Sequence, residues 1–272
     1  MNSSSAQSAN GDLLSAAEFE RVAHLAYEAA GLEYRDGKQA LVGTRLQRRM
    51  RLLGVASYSS YLDLVEADPK ELAEMVDVLT TNKTNFFRES RHFDLLVEEG
   101  FGVSAAEEPL RIWSAGCSTG EEPYTLAMLL AEQLEPSAFR QARILATDIS
   151  SRVLGVARAA IYDEDQLVGV DEARRAKHFE RVPAGHRVRA PLRERVHVAR
   201  LNLMESWPMR GPFHAIFCRN VMIYFDLPTR LRVVGRFYDL LAPGGLLFIG
   251  MSESLGQTGH PFHYVEPAVY RR

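Results

Sequence analysis

Apolar residues recur every three or four positions through the first third of the chain. Leu14, Phe19, Val22, Leu25 and Ala26 form one stripe, and Val42, Leu46, Met50 and Leu53 a second. Tyr58, Tyr61, Leu62 and Val65 form a third, and Leu72, Met75, Val76 and Leu79 a fourth. Each stripe puts one apolar face on a helix. Gly31, Gly54 and Pro69 separate the stripes, and Ser57 stands where an N-cap belongs. The spacing predicts an all-helical N-terminal domain over 13–80, a bundle of short helices.

From residue 110 the period changes. LRIWSAG, ARILATD, RVHVARL, FHAIFCRN and GGLLFIG are short apolar runs of strand length, and helical patterns over 121–134, 150–160 and 227–241 lie between them. Strands alternating with helices predict an α/β domain over 110–272 with a parallel, helix-covered sheet, leaving 81–109 as a linker. Pro243-Gly244-Gly245 predicts a turn feeding a strand at 246–249, and 260–272, broken at Pro267, a terminal hairpin. About 35 residues separate the helix ending near Ala160 from the strand at Val196, too many for an ordinary loop. They predict a small inserted β-subdomain at about 162–200, helical over 172–179 and antiparallel over 187–200.

Length and composition bound the possibilities. A chain of 272 residues holds one large or two modest domains. With 46% hydrophobic and 25% charged residues, extensive disorder is excluded. No run approaches the length of a membrane-spanning helix, so no direct membrane insertion is expected. Two cysteines, Cys117 and Cys218, are too few for a disulfide scaffold and point to a reducing compartment. The start, MNSSSAQSAN, lacks the basic and apolar parts of a secretory signal. It predicts a disordered tail over 1–12 and a cytoplasmic address. The net charge of −3 argues against a nucleic-acid partner, and the eight histidines have no metal-ligand spacing, so no metal is expected.

The candidate chemistry sits at strand ends. In RIWSAGCSTGEE a strand leads through Gly116, Ser118 and Gly120 into a helix, and small residues there let the backbone turn tightly against a ligand. The segment resembles the first motif of class I S-adenosylmethionine-dependent methyltransferases, which have a Rossmann-like fold. It departs from the fuller motif, with Ser118 in place of the middle glycine and Ser114 where an acid often ends the strand. Glu121 and Glu122 suit a helix N-terminus electrostatically; they would also repel a pyrophosphate and favour a cationic ligand. Asp148 ends the second strand, where a carboxylate can accept from both ribose hydroxyls or, with Ser150, cap the following helix. Arg219 and Asn220 follow the fourth strand, at the carboxyl end where open α/β sheets bind ligands. Tyr224 lies just beyond, and Asn202 and Leu203 end the preceding strand, placed to flank an adenine.

Five segments together, TTNKTNFFRES, SAGCSTGEEPYTLA, ATDIS, FCRNVMIYFD and APGGLLFIGMSES, resemble the chemotaxis receptor-glutamate methyltransferase family, often called CheR. The resemblance covers nearly the whole chain. It implies a Rossmann-like S-adenosylmethionine methyltransferase sheet with an all-helical N-terminal domain and an inserted β-subdomain. It also implies methyl transfer from S-adenosyl-L-methionine to glutamate side chains of chemoreceptors, leaving S-adenosyl-L-homocysteine. It adds Asn82, Thr84 and Arg88 of the linker as cofactor contacts, the guanidinium suiting the cofactor's carboxylate. Such a reaction needs no general base, because a glutamate is ionised near pH 7. Arg219 and Tyr224 are then candidates for orienting the substrate carboxylate.

Charge in the N-terminal half is sorted. Residues 35–51 hold Arg35, Lys38, Arg45, Arg48, Arg49 and Arg51 against Asp36, a net +5. Residues 52–80 hold six acids against Lys70, a net −5. Either this is an ordinary solvated face, or Arg45, Arg48 and Arg49 dock the acidic cytoplasmic helical region of a chemoreceptor. Some family members also bind a receptor's C-terminal tail peptide on the inserted subdomain, and the sequence leaves open whether this one does. A monomer is expected. The alternative is a nucleic-acid methyltransferase, disfavoured because Val221 and Met222 stand where an Asn-Pro-Pro-Tyr string would have its prolines. A degenerate, cofactor-sensing protein is a third reading, disfavoured by Asp148 and NFFRE.

Overall fold

A computed structural model describes residues 13–34, 37–99, 101, 109–256 and 259–272. The expected tail, Arg35 and Asp36 of the basic run, and linker residues 100 and 102–108 lie outside the described residues. The chain divides into two compact units. One comprises the described residues before Asn82 together with Tyr224–Asp226, and the other the rest.

The first unit is helical: α1 (Ala16–Ala30), α2 (Gln39–Leu53), α3 (Tyr58–Ala67) and α4 (Pro69–Leu79). Local chemistry sets the ends. Ser15 and Glu18 form a capping box on α1, Ser57 caps α3, and Asp68 caps α4 with Pro69 as its first residue. Gly31 and Gly54, at φ 68° and 69°, end α1 and α2 in the left-handed conformation that glycine adopts without strain. The apolar stripes meet in a core that includes Val22, Val42, Leu46, Tyr61, Leu62 and Met75. Leu53 departs from its stripe and is exposed at the end of α2.

The two oppositely charged segments pair with each other inside this unit. Arg49 makes a two-pronged bond to Glu71 (Nε–Oε1 2.9 Å, Nη2–Oε2 2.6 Å), and the Tyr61 hydroxyl donates to the same carboxylate at 3.0 Å. Burial, followed by the Glu71 charge, pushes the Tyr61 hydroxyl far above its usual range. Arg21 on α1 reaches Asp63 and Glu66 on α3.

The second unit is built on a seven-stranded sheet. Its strands are β1 (Arg111–Ala115), β2 (Arg143–Asp148), β6 (Val196–Arg200), β7 (Phe213–Cys218), β8 (Leu241–Ile249), β9 (His263–Glu266) and β10 (Val269–Arg271). The order is β6-β2-β1-β7-β8-β10-β9, parallel except for the closing β9–β10 hairpin. The chain builds outward from β1 through β2 to β6, then returns to β1's other side as β7. That reversal opens a crevice at the carboxyl ends of β1 and β7, the usual ligand position in such sheets. Helices α5 (Arg91–Glu98), α6 (Glu121–Gln133), α7 (Pro136–Gln141), α8 (Ser151–Ala159) and α11 (Leu227–Leu240) belong to this unit. Its core stacks Phe217 on Phe248 with centroids 4.2 Å apart.

Two segments fold otherwise than their pattern predicts. The small antiparallel sheet is made by β3 (Ile161–Tyr162), β4 (Phe179–Val182) and β5 (Gly185–Val188), in the order β3-β5-β4, and not by 187–200. A short helix, α10 (Ala190–Arg193), with Pro191 in its first turn, ends that sheet and releases Val196–Arg200 to pair parallel with β2. The helix α9 (Glu172–His178) precedes β4. Pro243-Gly244-Gly245 is not a turn before a strand; β8 runs through it with a register shift opposite Phe213 and Ala215. Gly244 (φ 79°) and Gly245 exchange backbone bonds with Arg272 there, which keeps the bulge in the sheet.

Candidate functional site

The β1–α6 turn is stitched to the end of β2. The amides of Gly116 and Cys117 donate to the Thr147 carbonyl at 2.7 and 2.9 Å. The Ser118 amide donates to Asp148 Oδ2 at 2.9 Å and the Ser150 amide to Oδ1 at 3.0 Å. Asp148 therefore fixes both loops while ending β2, and Ser150 caps α8 with its own hydroxyl. Gly116 (φ 83°) and Gly120 (φ 100°) are both left-handed. A Cβ on Gly116 would fall 2.4 Å from a Val221 methyl, so the backbone is pressed against the loop after β7. Ser118, the departure from an all-glycine turn, is left-handed at φ 49°, and its hydroxyl donates to the Asn82 carbonyl at 3.0 Å. The serine thus ties the linker to the turn, which glycine could not do.

The two acids at the start of α6 have different surroundings. Glu122 accepts from Ser114 Oγ and from Arg219 Nε, both at 2.6 Å. Arg219 also donates through Nη1 to the Arg88 carbonyl at 2.6 Å and lies over the Phe93 ring at 5.0 Å. Its side chain is 4% exposed. Glu122 and Arg219 are a buried ion pair joining α6, the loop after β7 and the linker, at the carboxyl ends of β1 and β7. Ser114, in the place of a strand-ending acid, completes the pair. Glu121 is 2% exposed, accepts from Thr119 Oγ1 at 2.6 Å and Gln166 Nε2 at 3.3 Å, and pairs with no cation among the described residues. Burial raises its pKa, the Thr119 and Gln166 bonds partly opposing.

Asn220 is held in an unusual conformation. It is left-handed at φ 60°. Its amide donates to Glu253 at 2.9 Å, as do those of Gly250 at 2.5 Å and Ile223 at 3.0 Å. One carboxylate therefore organises the ends of both β7 and β8. The Asn220 Oδ1 atom is buried without a partner, an uncommon and costly state unless a ligand donates to it. The Asn202 side chain closes its own turn, accepting from the Met204 amide at 3.0 Å and donating to Glu205 at 3.2 Å. The Leu203 carbonyl is held by Arg236 Nη1 at 3.0 Å. Arg236 also bonds the Glu205 carbonyl and stacks on Trp207 at 3.6 Å.

In the linker, Phe87 and Glu89 are left-handed at φ 54° and 55°, a strained pair around Arg88. Arg88 is half-buried and donates to the Lys83 carbonyl at 2.8 Å; Thr84 is half-buried. Asn82, Gly116, Glu121, Asp148 and the loops carrying Asn202, Leu203 and Asn220 belong to one unit. Tyr224 is grouped with the helical unit, where its carbonyl accepts from the Glu33 amide at 2.7 Å. Of the docking candidates, Arg49 is committed to Glu71. Arg45 bonds the Leu79 carbonyl and Thr81 Oγ1, and Arg48 alone of the three is exposed. Glu253, Gln166, Arg236 and Tyr162 were missed in the sequence. MSES offered an acid just past a strand, but nothing local distinguishes it from a surface residue.

Comparison with known proteins gives a consistent result. The SAM binding domain of CheR methyltransferase matches residues 82–270, and the all-alpha domain of CheR methyltransferase matches residues 17–80. A chemotaxis protein methyltransferase of Klebsiella aerogenes is 42% identical over 266 residues, covering 94% of this chain and 90% of the relative. One from Escherichia coli is 41% identical over 264 residues, covering 94% and 91%. One from Borreliella burgdorferi is 36% identical over 266 residues, covering 94% of each.

Proposed function

The chain belongs to the CheR methyltransferase family, an S-adenosylmethionine-dependent methyltransferase of chemotaxis, and from that premise we propose that it esterifies glutamate side chains of chemoreceptors. The buried Glu121 carboxylate, with no cation beside it, carries the reading of the site: it calls for a cationic ligand where a nucleotide phosphate would be repelled. The unpartnered Asn220 Oδ1 is a second acceptor suited to the same ammonium. Asp148 ends β2 in the place for ribose hydroxyls, the Asn202–Leu203 turn flanks the adenine, and Gly116 leaves room at the backbone. Asn82, Thr84 and Arg88 supply the linker's contacts, the Arg88 guanidinium pairing with the ligand carboxylate. When bound, S-adenosylmethionine supplies an electrophilic methyl group on a positively charged sulfur.

The residues present act by binding and alignment. A substrate glutamate, with a reference pKa of about 4.3, reaches the site already ionised, so no side chain need take its proton. Glu122 and Arg219 lock the linker over the turn, which fixes the approach path and limits water entry. Arg219, paired with Glu122 at the end of β7, is the candidate to orient the incoming carboxylate. The domains follow the same reading: a helical part over 13–80 that meets the receptor, a linker over 81–109, and a methyltransferase part over 110–272 with its insert.

Receptor docking falls to Arg48, because Arg45 and Arg49 hold the helical unit together. The insert's sheet ends in β4, an edge strand to which a receptor tail peptide can add. The protein acts as a cytoplasmic monomer; no helix among the described residues is long and apolar enough to cross a membrane.

The decisive assay incubates the protein with methyl-labelled S-adenosylmethionine and either receptor cytoplasmic fragments or RNA. Base-labile label on the receptor supports the ester. Label on RNA, or donor binding without transfer, refutes it. Arg48→Glu should weaken receptor methylation and leave donor affinity intact; unchanged receptor turnover removes the docking role.

A further inference from the structure

The carboxyl ends of β7 and β8 meet at one carboxylate. Gly250 follows β8; its amide donates to Glu253 Oε2 at 2.5 Å, and the Glu253 amide donates back to the Gly250 carbonyl at 2.8 Å. That reciprocal pair, three residues apart, fixes the side chain in place. The same Oε2 accepts from the Asn220 amide at 2.9 Å, and Oε1 accepts from the Ile223 amide at 3.0 Å. Backbone donors meet the charge, and no cation pairs with it among the described residues. Burial raises the Glu253 pKa, and the amides of Gly250, Asn220, Ile223 and Met222 oppose that rise. Gly250 lets the two loops close up: a Cβ there would fall 2.5 Å from Asn220 Nδ2 and 2.8 Å from the Asn220 amide nitrogen. The loop after β7 is in turn pressed on the β1–α6 turn, where Gly116 has no room for a Cβ beside Val221. Glu253 therefore stands behind a loop that borders the crevice at the carboxyl ends of β1 and β7.

We propose that Glu253 is a positioning residue of the methyl-donor site, holding the loop after β7 so that Asn220 keeps its left-handed backbone and offers its Oδ1 to the donor. The proposal rests on the reading that the crevice holds the donor and that Asn220 meets it. The Asn220 Oδ1 atom has no partner, so the residue's backbone sets where that atom points. A left-handed asparagine relaxes toward the ordinary backbone regions unless its surroundings hold it, and the bond from its amide to Glu253 is what holds it here. Glutamine at 253 cannot stand in for glutamate. Both terminal atoms of the side chain face N–H donors, and one of them would become an NH2 group with no lone pair to offer. Either the Asn220–Gly250 junction or the Ile223 amide then loses its acceptor.

The test titrates S-adenosylhomocysteine calorimetrically into the full chain as wild type and Glu253→Gln, and measures turnover of both on a receptor cytoplasmic fragment. Glu253→Gln should bind at least about tenfold more weakly at unchanged stoichiometry, the worth of one hydrogen bond to a charged group. In turnover the donor's KM should rise and the receptor fragment's KM should hold. A residue that only supports the fold would lower the active fraction instead, reducing stoichiometry and kcat with donor affinity and KM unchanged. Hydrogen exchange on the wild-type protein decides the matter if Glu253→Gln fails to fold: the Asn220 and Ile223 amides should gain protection when S-adenosylhomocysteine binds. Wild-type affinity and donor KM in Glu253→Gln, or donor binding that leaves the exchange of both amides unchanged, overturns the proposal. A wild-type chain that binds no S-adenosylhomocysteine overturns the reading of the site beneath it.

Discussion

The two units manage backbone strain in opposite ways. In the described helical unit every left-handed residue is a glycine: Gly31, Gly37 and Gly54. In the α/β unit seven described residues are left-handed without being glycine: Phe87, Glu89, Ser118 and Asn220 lie in the linker, the β1–α6 turn or the loop after β7, and Phe101, Ala160 and Ala268 lie elsewhere, Ala160 ending α8 and Ala268 between β9 and β10. A left-handed non-glycine residue costs on the order of 1–3 kcal/mol and persists only where its surroundings over-determine it. Here those surroundings can be named. Glu253 grips Asn220, Ser118 is held between Asp148 and Asn82, and Arg219 holds the Arg88 carbonyl between Phe87 and Glu89. The helical unit carries what its local sequence favours. The α/β unit carries four of its seven such residues in the linker, the β1–α6 turn and the loop after β7.

Each unit also contains one Arg–Glu pair backed by a hydroxyl, and removing the arginine sharpens the contrast most. Arg219→Ala should cost roughly 3–5 kcal/mol, because it strands a buried Glu122, and should abolish donor binding as the linker comes loose. Arg49→Ala strands Glu71 in the same way, but Arg49's side chain is 22% exposed against 4% for Arg219. Its cost should be nearer 2–3 kcal/mol, with S-adenosylhomocysteine affinity unchanged. Urea denaturation and calorimetry read both quantities. A loss of donor affinity in Arg49→Ala would break the separation of roles.

A smaller pair of effects distinguishes the glycines. Gly120→Ala forces a left-handed alanine and drives its methyl to 2.8 Å from the Tyr162 oxygen and 3.1 Å from Ala157 Cα. About 2–3 kcal/mol of destabilisation is expected, together with at least about a tenfold loss of donor affinity. Gly54→Ala meets nothing within 4 Å, so only the left-handed penalty of about 1–2 kcal/mol remains. Its donor affinity should match wild type. If Gly120→Ala also binds normally, the turn tolerates movement and the cofactor does not depend on its close packing.

Much of this was legible in the sequence, and the rest was hidden for a physical reason. Helix periods, glycine ends and the strand–turn–helix at Gly116 are local, and a single chain displays them. Partnership is not local. Glu121 and Glu122 are adjacent and read as equals, yet one is neutralised by Arg219, 97 positions away, and the other is not. The +5 segment reads either as a solvated face or as a docking surface, yet the Arg49–Glu71 pair turns part of its charge inward, onto the −5 segment. Ser114 and Ser118 read as flaws in a motif and prove to be the hydroxyls that complete the ion pair and hold the linker. The insert's strands were misplaced because 196–200 suits either sheet until β2 claims it.

Ser118→Gly tests whether strain is the cost of function at one residue. It should relieve on the order of 1 kcal/mol of left-handed strain and lose a hydrogen bond of about 1 kcal/mol to Asn82, leaving stability close to wild type. Donor affinity should still fall several-fold, because the linker is no longer tied to the turn. Unchanged affinity with raised stability would show the serine to be a burden with no return.

The smallest effect is in pH, where the two demands on Glu121 oppose each other. Burial raises its pKa above 4.5, so the folded protein binds a proton there more readily than the unfolded chain. Its contribution to apo stability is therefore full below about 4.5 and is lost as pH rises through the folded pKa. Donor affinity runs the other way, rising over the same interval as the carboxylate ionises. Glu121→Gln should remove both slopes, leaving an apo protein at least as stable as wild type at neutral pH and weaker in binding. His92, held down to about 4 by burial, destabilises the fold as pH falls from about 6.5 toward 4. That loss is common to wild type and Glu121→Gln and cancels in their difference. Denaturation and calorimetry between pH 4.5 and 7 on the two proteins read the remainder. Difference curves with slopes of opposite sign place a destabilising charge at the donor's ammonium; slopes of the same sign make Glu121 a structural acid and return the helical and catalytic units to equal footing.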